Sequence, residues 1–331
     1  MPSTVTIVMY HFVRDLQRSR YPEIKGLSLN AFHGQLEHIK RHYTPITMEE
    51  LMEAVASHKA QLPPNAILLT FDDGYVDHYT NVFPILDRAG VQGAFFPPAK
   101  AVSENQVLDV NKIHFVLASV EEKSQLVDCI FQEITANREM FSLQPPEEYY
   151  QKLAVANRYD SAEVIFIKRV LQRELPEAFR GQLINSLFHR FVSHDEAAFA
   201  SELYMSREQL ATMHRHGMHI GSHGYDHVWL NTLSQADQEK EIEKSLAFLE
   251  DLGCSRQSWT MCYPYGGYNG ALLSILRQKG CSIGFTTHVG IADVQAQDPM
   301  ILPRLDTNDL PKTAHASPYE WTYRAMEGGE Q

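Results

Sequence analysis

Short apolar runs alternate with amphipathic stretches over the first hundred residues. Thr6–Met9 (TIVM) predicts a buried strand, and Ala31–His42 and Met48–Ser57 carry apolar positions at helical spacing. Ala66–Phe71 (AILLTF) predicts a second strand, which runs straight into Asp72-Asp73-Gly74. A helix containing Val82–Ala89 and a third strand, Gly93–Phe96, follow. Strands separated by helices of this length predict βα units around a parallel sheet or barrel.

The rhythm changes between residues 101 and 203. Glu121–Thr135 and Ala162–Glu174 keep helix-period apolar positions with charges between them, while strand signals nearly vanish. This segment is expected to be a helical insertion, a lid or a dimerisation element, and its sequence shows no identifiable chemistry. The βα rhythm returns over residues 204–310, with helices at Arg207–His216, Gln235–Leu252 and Gly270–Lys279 stopped by Gly217, Gly253 and Gly280. Strands are expected at His219–Gly221, Ser258–Cys262 and Ile283–Thr287. Residues 311–331 are rich in polar and turn-forming types and are expected to form a loose tail. The division expected is therefore 1–100 and 204–310 as two parts of one α/β domain, with 101–203 inserted.

Composition narrows the class. The 331 residues are 44% hydrophobic and 21% charged, the profile of a globular protein. A formal charge of -12 argues against a nucleic-acid binder, which needs a basic stripe. No apolar run reaches the roughly 18 residues of a membrane span. The start, MPSTVTIVMYHFV, lacks a basic segment followed by a cleavage site, so no signal peptide is expected. Cys129, Cys254, Cys262 and Cys281 are scattered and form no CxxC pair. Free thiols and a cytoplasmic location are the expectation.

Three local patterns carry candidate chemistry. Thr70-Phe71-Asp72-Asp73-Gly74-Tyr75 puts two carboxylates at the end of a buried strand, where catalytic groups gather on α/β scaffolds; an Asp-Gly turn capping the next helix would read the same. His223 and His227 stand four apart after an apolar strand, a spacing common among ligands of zinc and similar ions. With 16 histidines in the chain coincidence also competes, and His38, His42, His214 and His216 read as surface residues. Cys262-Tyr263-Pro264-Tyr265-Gly266-Gly267 closes another strand with a sharp turn, which presents a backbone N–H or is simply a β-turn.

In order and context, TFDDGY, SHGYDH and YPYG resemble the motifs of the polysaccharide deacetylase family, also called carbohydrate esterase family four. GAFF and MSREQLATMHRHGMHIGSH resemble its framework. The resemblance covers about residues 1–100 and 204–310. It implies a distorted (β/α) barrel with a divalent ion on Asp73, His223 and His227; zinc is expected, with cobalt, nickel or iron also compatible with these donors. It further implies Asp72 as the general base on the attacking water and the backbone N–H of Tyr265 as an oxyanion donor.

The sequence departs from the family pattern at Gly224, which stands where Ser or Thr is common, and in two further places. Cys262 stands where the third motif often has an arginine that orients the catalytic aspartate; Arg304, in Ile301-Leu302-Pro303-Arg304, is the candidate replacement, and an ordinary structural arginine is the other reading. The late Leu-x-His motif, which supplies the acid, is missing. Ile7-Val8-Met9-Tyr10-His11 runs an apolar strand into a histidine, as in circularly permuted relatives, so His11 is the expected general acid and His288 the second candidate. The activity implied is removal of an N-acyl group, N-acetyl first, from an amino sugar in a glycan, lipid-linked or nucleotide-linked saccharide, as in surface-polysaccharide assembly. An amidohydrolase acting on a formyl or non-sugar amide would use the same site. An inactive glycan-binding relative would have no use for a base beside a metal. Tyr75, Tyr225, Trp229 and Tyr268 are candidate sugar-stacking rings or packing residues.

Overall fold

The computed structural model describes residues 3–57, 61–157 and 160–328. Residues 1–2, 58–60, 158–159 and 329–331, which the expected segments include, lie outside them. Two compact units are present: one comprises residues 1–15, 26–105 and 201–331, the other residues 16–25 and 106–200. Within the expected insertion the second unit takes only residues 106–200, and it adds residues 16–25 from near the N-terminus. Among the described residues no helix is long and apolar enough to cross a membrane.

The first unit is built on a ring of parallel strands. In chain order they are β1 (Thr4–Tyr10), β2 (Ala66–Asp72), β3 (Gly93–Phe96), β4 (His219–Ile220), β5 (Trp259–Cys262), β6 (Cys281–Phe285) and β7 (Leu305–Asp306). β1 pairs with β2, β2 with β3, β3 with β4, and β5 with β6. Single bridges Ser222↔Met261 and Phe285↔Leu302 continue the ring, and β7 returns to β1 through Val8↔Leu305. The N-terminal strand therefore stands between β2 and the last strand, giving a distorted (β/α) barrel. The expected strands lie within two residues of the observed ones. The short pairs Val13–Arg14 with Leu27–Ser28, and Ala292–Asp293 against β1, were beyond a reading based on periodicity, because two residues define no period.

Strand alternation sorts the side chains. Ala66 and Leu68 join Val5, Ile7, Ala94, Phe96, Cys262, Ile283, Phe285 and Leu302 in one core cluster drawn from strands around the ring. Ile67, Leu69 and Phe71 belong to another cluster, with Leu36, Leu246 and Leu276 of the surrounding helices. Asp72 shares its parity with Ala66, Leu68 and Thr70, so the strand aims this carboxylate inward.

The segment 311–328 is not a loose tail. Glu320–Gly328 is a helix, with Thr322 and Ala325 buried. Tyr43 donates to Thr322 Oγ1 at 2.9 Å, and Arg41 donates to the Ala314 carbonyl at 2.9 Å. Gly34 admits this segment closely, since a Cβ there would stand 2.3 Å from the Lys312 carbonyl oxygen. Polar composition concealed a few buried contacts that suffice to dock the chain.

The second unit is helical, and among the described residues from 97 to 203 no strand occurs. Its interior holds Phe166, Phe179 and Phe188, together with a buried lysine, Lys112, paired with Glu196 at 2.8 Å.

Candidate metal and catalytic site

The site lies at the C-terminal ends of β2, β4 and β5, within the first unit. Asp72 ends β2, and the chain then turns through Asp73 (φ 72°) and Gly74 (φ 67°). A left-handed conformation is costly for a residue with a side chain, on the order of 1–2 kcal/mol, and aspartate tolerates it better than most. The turn sends the two successive carboxylates in different directions.

Asp73 Oδ1 faces His223 Nε2 at 3.4 Å and His227 Nε2 at 3.3 Å. All three residues are buried, and their donor atoms lie within 4.8 Å of one another. Asp73 Oδ1 has no hydrogen-bond partner among the described residues, whereas Oδ2 accepts from Tyr75 at 2.7 Å. His223 donates from Nδ1 to the Cys262 carbonyl at 2.8 Å, which leaves the Nε2 lone pair aimed at the carboxylate. A buried carboxylate oxygen and two imidazole nitrogens facing one another call for a positive charge among them. Donors on a tetrahedral ion with bonds of roughly 2.0–2.1 Å stand about 3.3–3.4 Å apart. These residues therefore fit a divalent metal.

Electrostatics agree with that fit. Burial alone would raise the Asp73 carboxyl, but the two imidazoles hold it well below the usual carboxylate range. Burial would lower His223, and its carboxylate neighbours outweigh it and raise it; at His227 burial prevails and lowers it.

Asp72 meets Arg304. Nη1 bonds Oδ1 at 2.9 Å and Nη2 bonds Oδ2 at 2.7 Å, and both residues are about 1% exposed. The guanidinium is fixed further by the Thr286 carbonyl (2.9 Å), Thr70 Oγ1 (3.1 Å) and Cys262 Sγ (3.2 Å). Burial would push the Asp72 carboxyl up; Arg304 outweighs it and holds it down to about 2. Burial raises the Cys262 thiol well above its ordinary value, so it stays protonated beside the arginine.

His11 follows β1, is half-buried, and is among the groups that lower the pKa of both Asp72 and Asp73. Its carbonyl accepts from His78 Nε2 at 2.8 Å. His78 is buried, its pKa pushed down to about 4 by desolvation, and it sits on a wide helical turn, His78–Val82. His288 is exposed and borders an open concavity of about 400 Å³ with Val289, Ile291, Asp298 and Pro303.

Tyr265 also takes a left-handed conformation (φ 56°, ψ 11°). Its ring stacks on Trp229 at 4.7 Å and meets the edge of His227 at 4.8 Å. Tyr75 is buried and stacks on Phe12, so it is no sugar platform; it orients Asp73 instead. Tyr225, Trp229 and Tyr268 are half-buried. Sequence reasoning missed the roles of Tyr75 and His78. An aromatic hydroxyl two residues beyond the acidic pair was the available signal for the first; the second had none.

The polysaccharide deacetylase family profile matches residues 59–137 and 182–284, which leaves out β1 and reaches into the helical segment at both ends. YxkH of Bacillus subtilis (strain 168), assigned to the polysaccharide deacetylases, is 33% identical over 89 residues, 27% of this chain and 32% of that protein. The poly-beta-1,6-N-acetyl-D-glucosamine N-deacetylase of Escherichia coli (strain K12) is 50% identical over 80 residues, 24% of this chain and 12% of that protein. The matched region thus spans about a third of the first relative and about an eighth of the second. Among solved structures, the Streptococcus pyogenes deacetylase PplD has a TM-score of 0.59 at 17% identity, covering 98% of this chain and 99% of that one. IcaB from Ammonifex degensii has a TM-score of 0.55 at 18% identity, covering 98% and 97%. At such identities the likeness is one of fold. The profile, by contrast, takes in more than half of the sequence, and the chain belongs to the polysaccharide deacetylase family.

Proposed function

We propose that this protein hydrolyses the N-acyl bond of an amino sugar, N-acetyl first, in a glycan, lipid-linked or nucleotide-linked saccharide. One observation carries the reading: a buried Asp-His-His donor set lies beside a second buried carboxylate clamped by an arginine. A divalent ion on Asp73, His223 and His227, zinc by the chemistry of the donors, would supply Lewis acidity toward an acyl oxygen and an attacking water. Asp72 stays ionised at any working pH and accepts the proton of that water. It is a weak base, so it suits a water already made acidic. Arg304 keeps the carboxylate ionised and aimed. The backbone N–H of Tyr265 donates to the oxyanion that develops on the acyl oxygen. His11 protonates the departing nitrogen, with His78 holding its backbone carbonyl in place.

The substrate named for the Escherichia coli relative makes oligomers of β-1,6-linked N-acetylglucosamine the first to try. Zinc-loaded protein is incubated with these, with N-acetylated nucleotide sugars and with lipid-linked N-acetyl saccharides, and released acetate is measured. Release from at least one, abolished in Asp72→Asn, is expected. No release from any of the three by protein carrying one zinc per chain would overturn the reading.

A further inference from the structure

The segment between the two histidines has no regular structure, and its shape is strained. Gly224 (φ 74°) and His227 (φ 51°) are both left-handed, and for a histidine that conformation costs on the order of 1–3 kcal/mol. Such a loop keeps its shape only where its surroundings over-determine it, and its buried backbone groups all need partners.

The carbonyls of Gly224 and Tyr225 accept from the amides of Ala99 (3.1 Å) and Lys100 (2.9 Å). The amides of Tyr225 and Asp226 both donate to one oxygen, Glu241 Oε2, at 3.1 and 3.0 Å. Glu241 lies on the helix Gln235–Asp251. One turn further along, Ser245 Oγ is 2.7 Å from Ser222 Oγ, which in turn accepts from the Gly224 amide at 3.1 Å. One turn back, Gln238 donates to the Leu230 carbonyl at 2.8 Å. Gln238, Glu241 and Ser245 stand at i, i+3 and i+7, so one stripe of this helix grips the loop before, between and after its two histidines. Gln238 and Ser245 are each about 1% exposed, an unusual burial for polar side chains unless they hold something.

We infer that the Gln238–Glu241–Ser245 stripe is the device that sets the angle between the two imidazoles, with Glu241 its central positioning residue. The inference rests on the metal reading of Asp73, His223 and His227. Glu241 accepts from two amides and, among the described residues, makes no hydrogen bond to the side chains of Asp73, His223 or His227. Glutamine, whose amide oxygen can accept both bonds, should therefore replace it, whereas alanine or the shorter aspartate should not.

The test compares wild type, Glu241→Gln, Glu241→Ala and Glu241→Asp. Zn²⁺ affinity is measured by competition with a chromogenic chelator, the visible spectrum is recorded with Co²⁺, and the melting temperature is taken without metal. Loss of a partner outside the ligand set typically weakens metal binding about 10- to 100-fold, and that loss is expected in Glu241→Ala and Glu241→Asp, with an altered Co²⁺ spectrum. Glu241→Gln should stay within about threefold of wild type and keep its spectrum, well inside that range. If Glu241→Ala does not fold, Glu241→Asp against Glu241→Gln makes the same comparison. Wild type that binds neither ion would sink the metal site itself. Wild type that binds, with alanine and aspartate variants equal to it, overturns this inference alone. So does a glutamine variant as weak as alanine, since charge would then be the operative property.

Discussion

Arg304 holds both oxygens of Asp72 in a fork of 2.9 and 2.7 Å across a separation of 232 residues. The pair is sealed inside the barrel mouth, where each charge would be costly alone. Arg304→Met should therefore destabilise the protein by about 3–5 kcal/mol, because it strands a buried carboxylate. Adding Asp72→Asn should recover a good part of that loss. Urea denaturation of the two single variants and the double variant measures the coupling; additive losses would mean that the fork holds nothing.

The same pair gives the acid limb a sign. The Asp72 carboxyl is held down to about 2 in the folded chain, below its ordinary value of 3.8. A depressed carboxyl stabilises the fold above the ordinary value, and that contribution is lost as pH falls from about 4 toward 2. Metal-free wild type should lose more stability over this window than metal-free Asp72→Asn. Denaturation midpoints recorded at several pH values check it, and parallel curves would refute it.

One divalent ion per chain is expected, and it should be lost on prolonged chelation and in the His223→Ala, His227→Ala double variant. Elemental analysis decides. Full metal content in the double variant would move the site elsewhere. Asp72→Asn should keep its metal while acetate release falls at least on the order of a hundredfold, the scale of general-base loss.

Tyr75→Phe removes one hydroxyl, which donates to Asp73 Oδ2 at 2.7 Å, and leaves the stack on Phe12 in place. Its melting temperature should change little. Zinc affinity should fall about 10-fold or more, as for other partners outside the ligand set. Unchanged affinity would make the hydroxyl a matter of packing.

His11→Ala should cripple turnover of N-acetyl amides by on the order of a hundredfold or more while sparing metal content. An activated acetate ester, whose leaving group needs no proton, should lose much less. Equal losses on both substrates would remove His11 as the acid, and His288→Ala would then be examined in the same way.

Much of the site was legible because it is local. A buried strand followed by Asp-Asp-Gly, and a strand followed by histidines four apart, announce themselves through periodicity and turn residues over six or seven positions. Six of the barrel's seven strands read the same way, to within two residues at their ends, whereas β7, two residues long, gives no periodic signal. The helix Gln235–Asp251 showed its apolar stripe, Ile242, Leu246 and Leu249. Its polar stripe gives no comparable signal, because sequence does not tell a buried Gln238 from an exposed one.

Local patterns along the chain fix the alternation that builds a parallel ring and the donor types standing at its strand ends. Which of the candidate distant groups meet them depends on how the chain closes in space. Ring closure brings β7 against β1 and so carries Arg304 to Asp72; the turn at His78 meets His11; a helix beyond the histidine loop clamps it; and the C-terminal segment docks on the first helix. Periodicity and turn chemistry act over a few residues, whereas these contacts depend on where the whole chain closes, and no window along the sequence contains both partners.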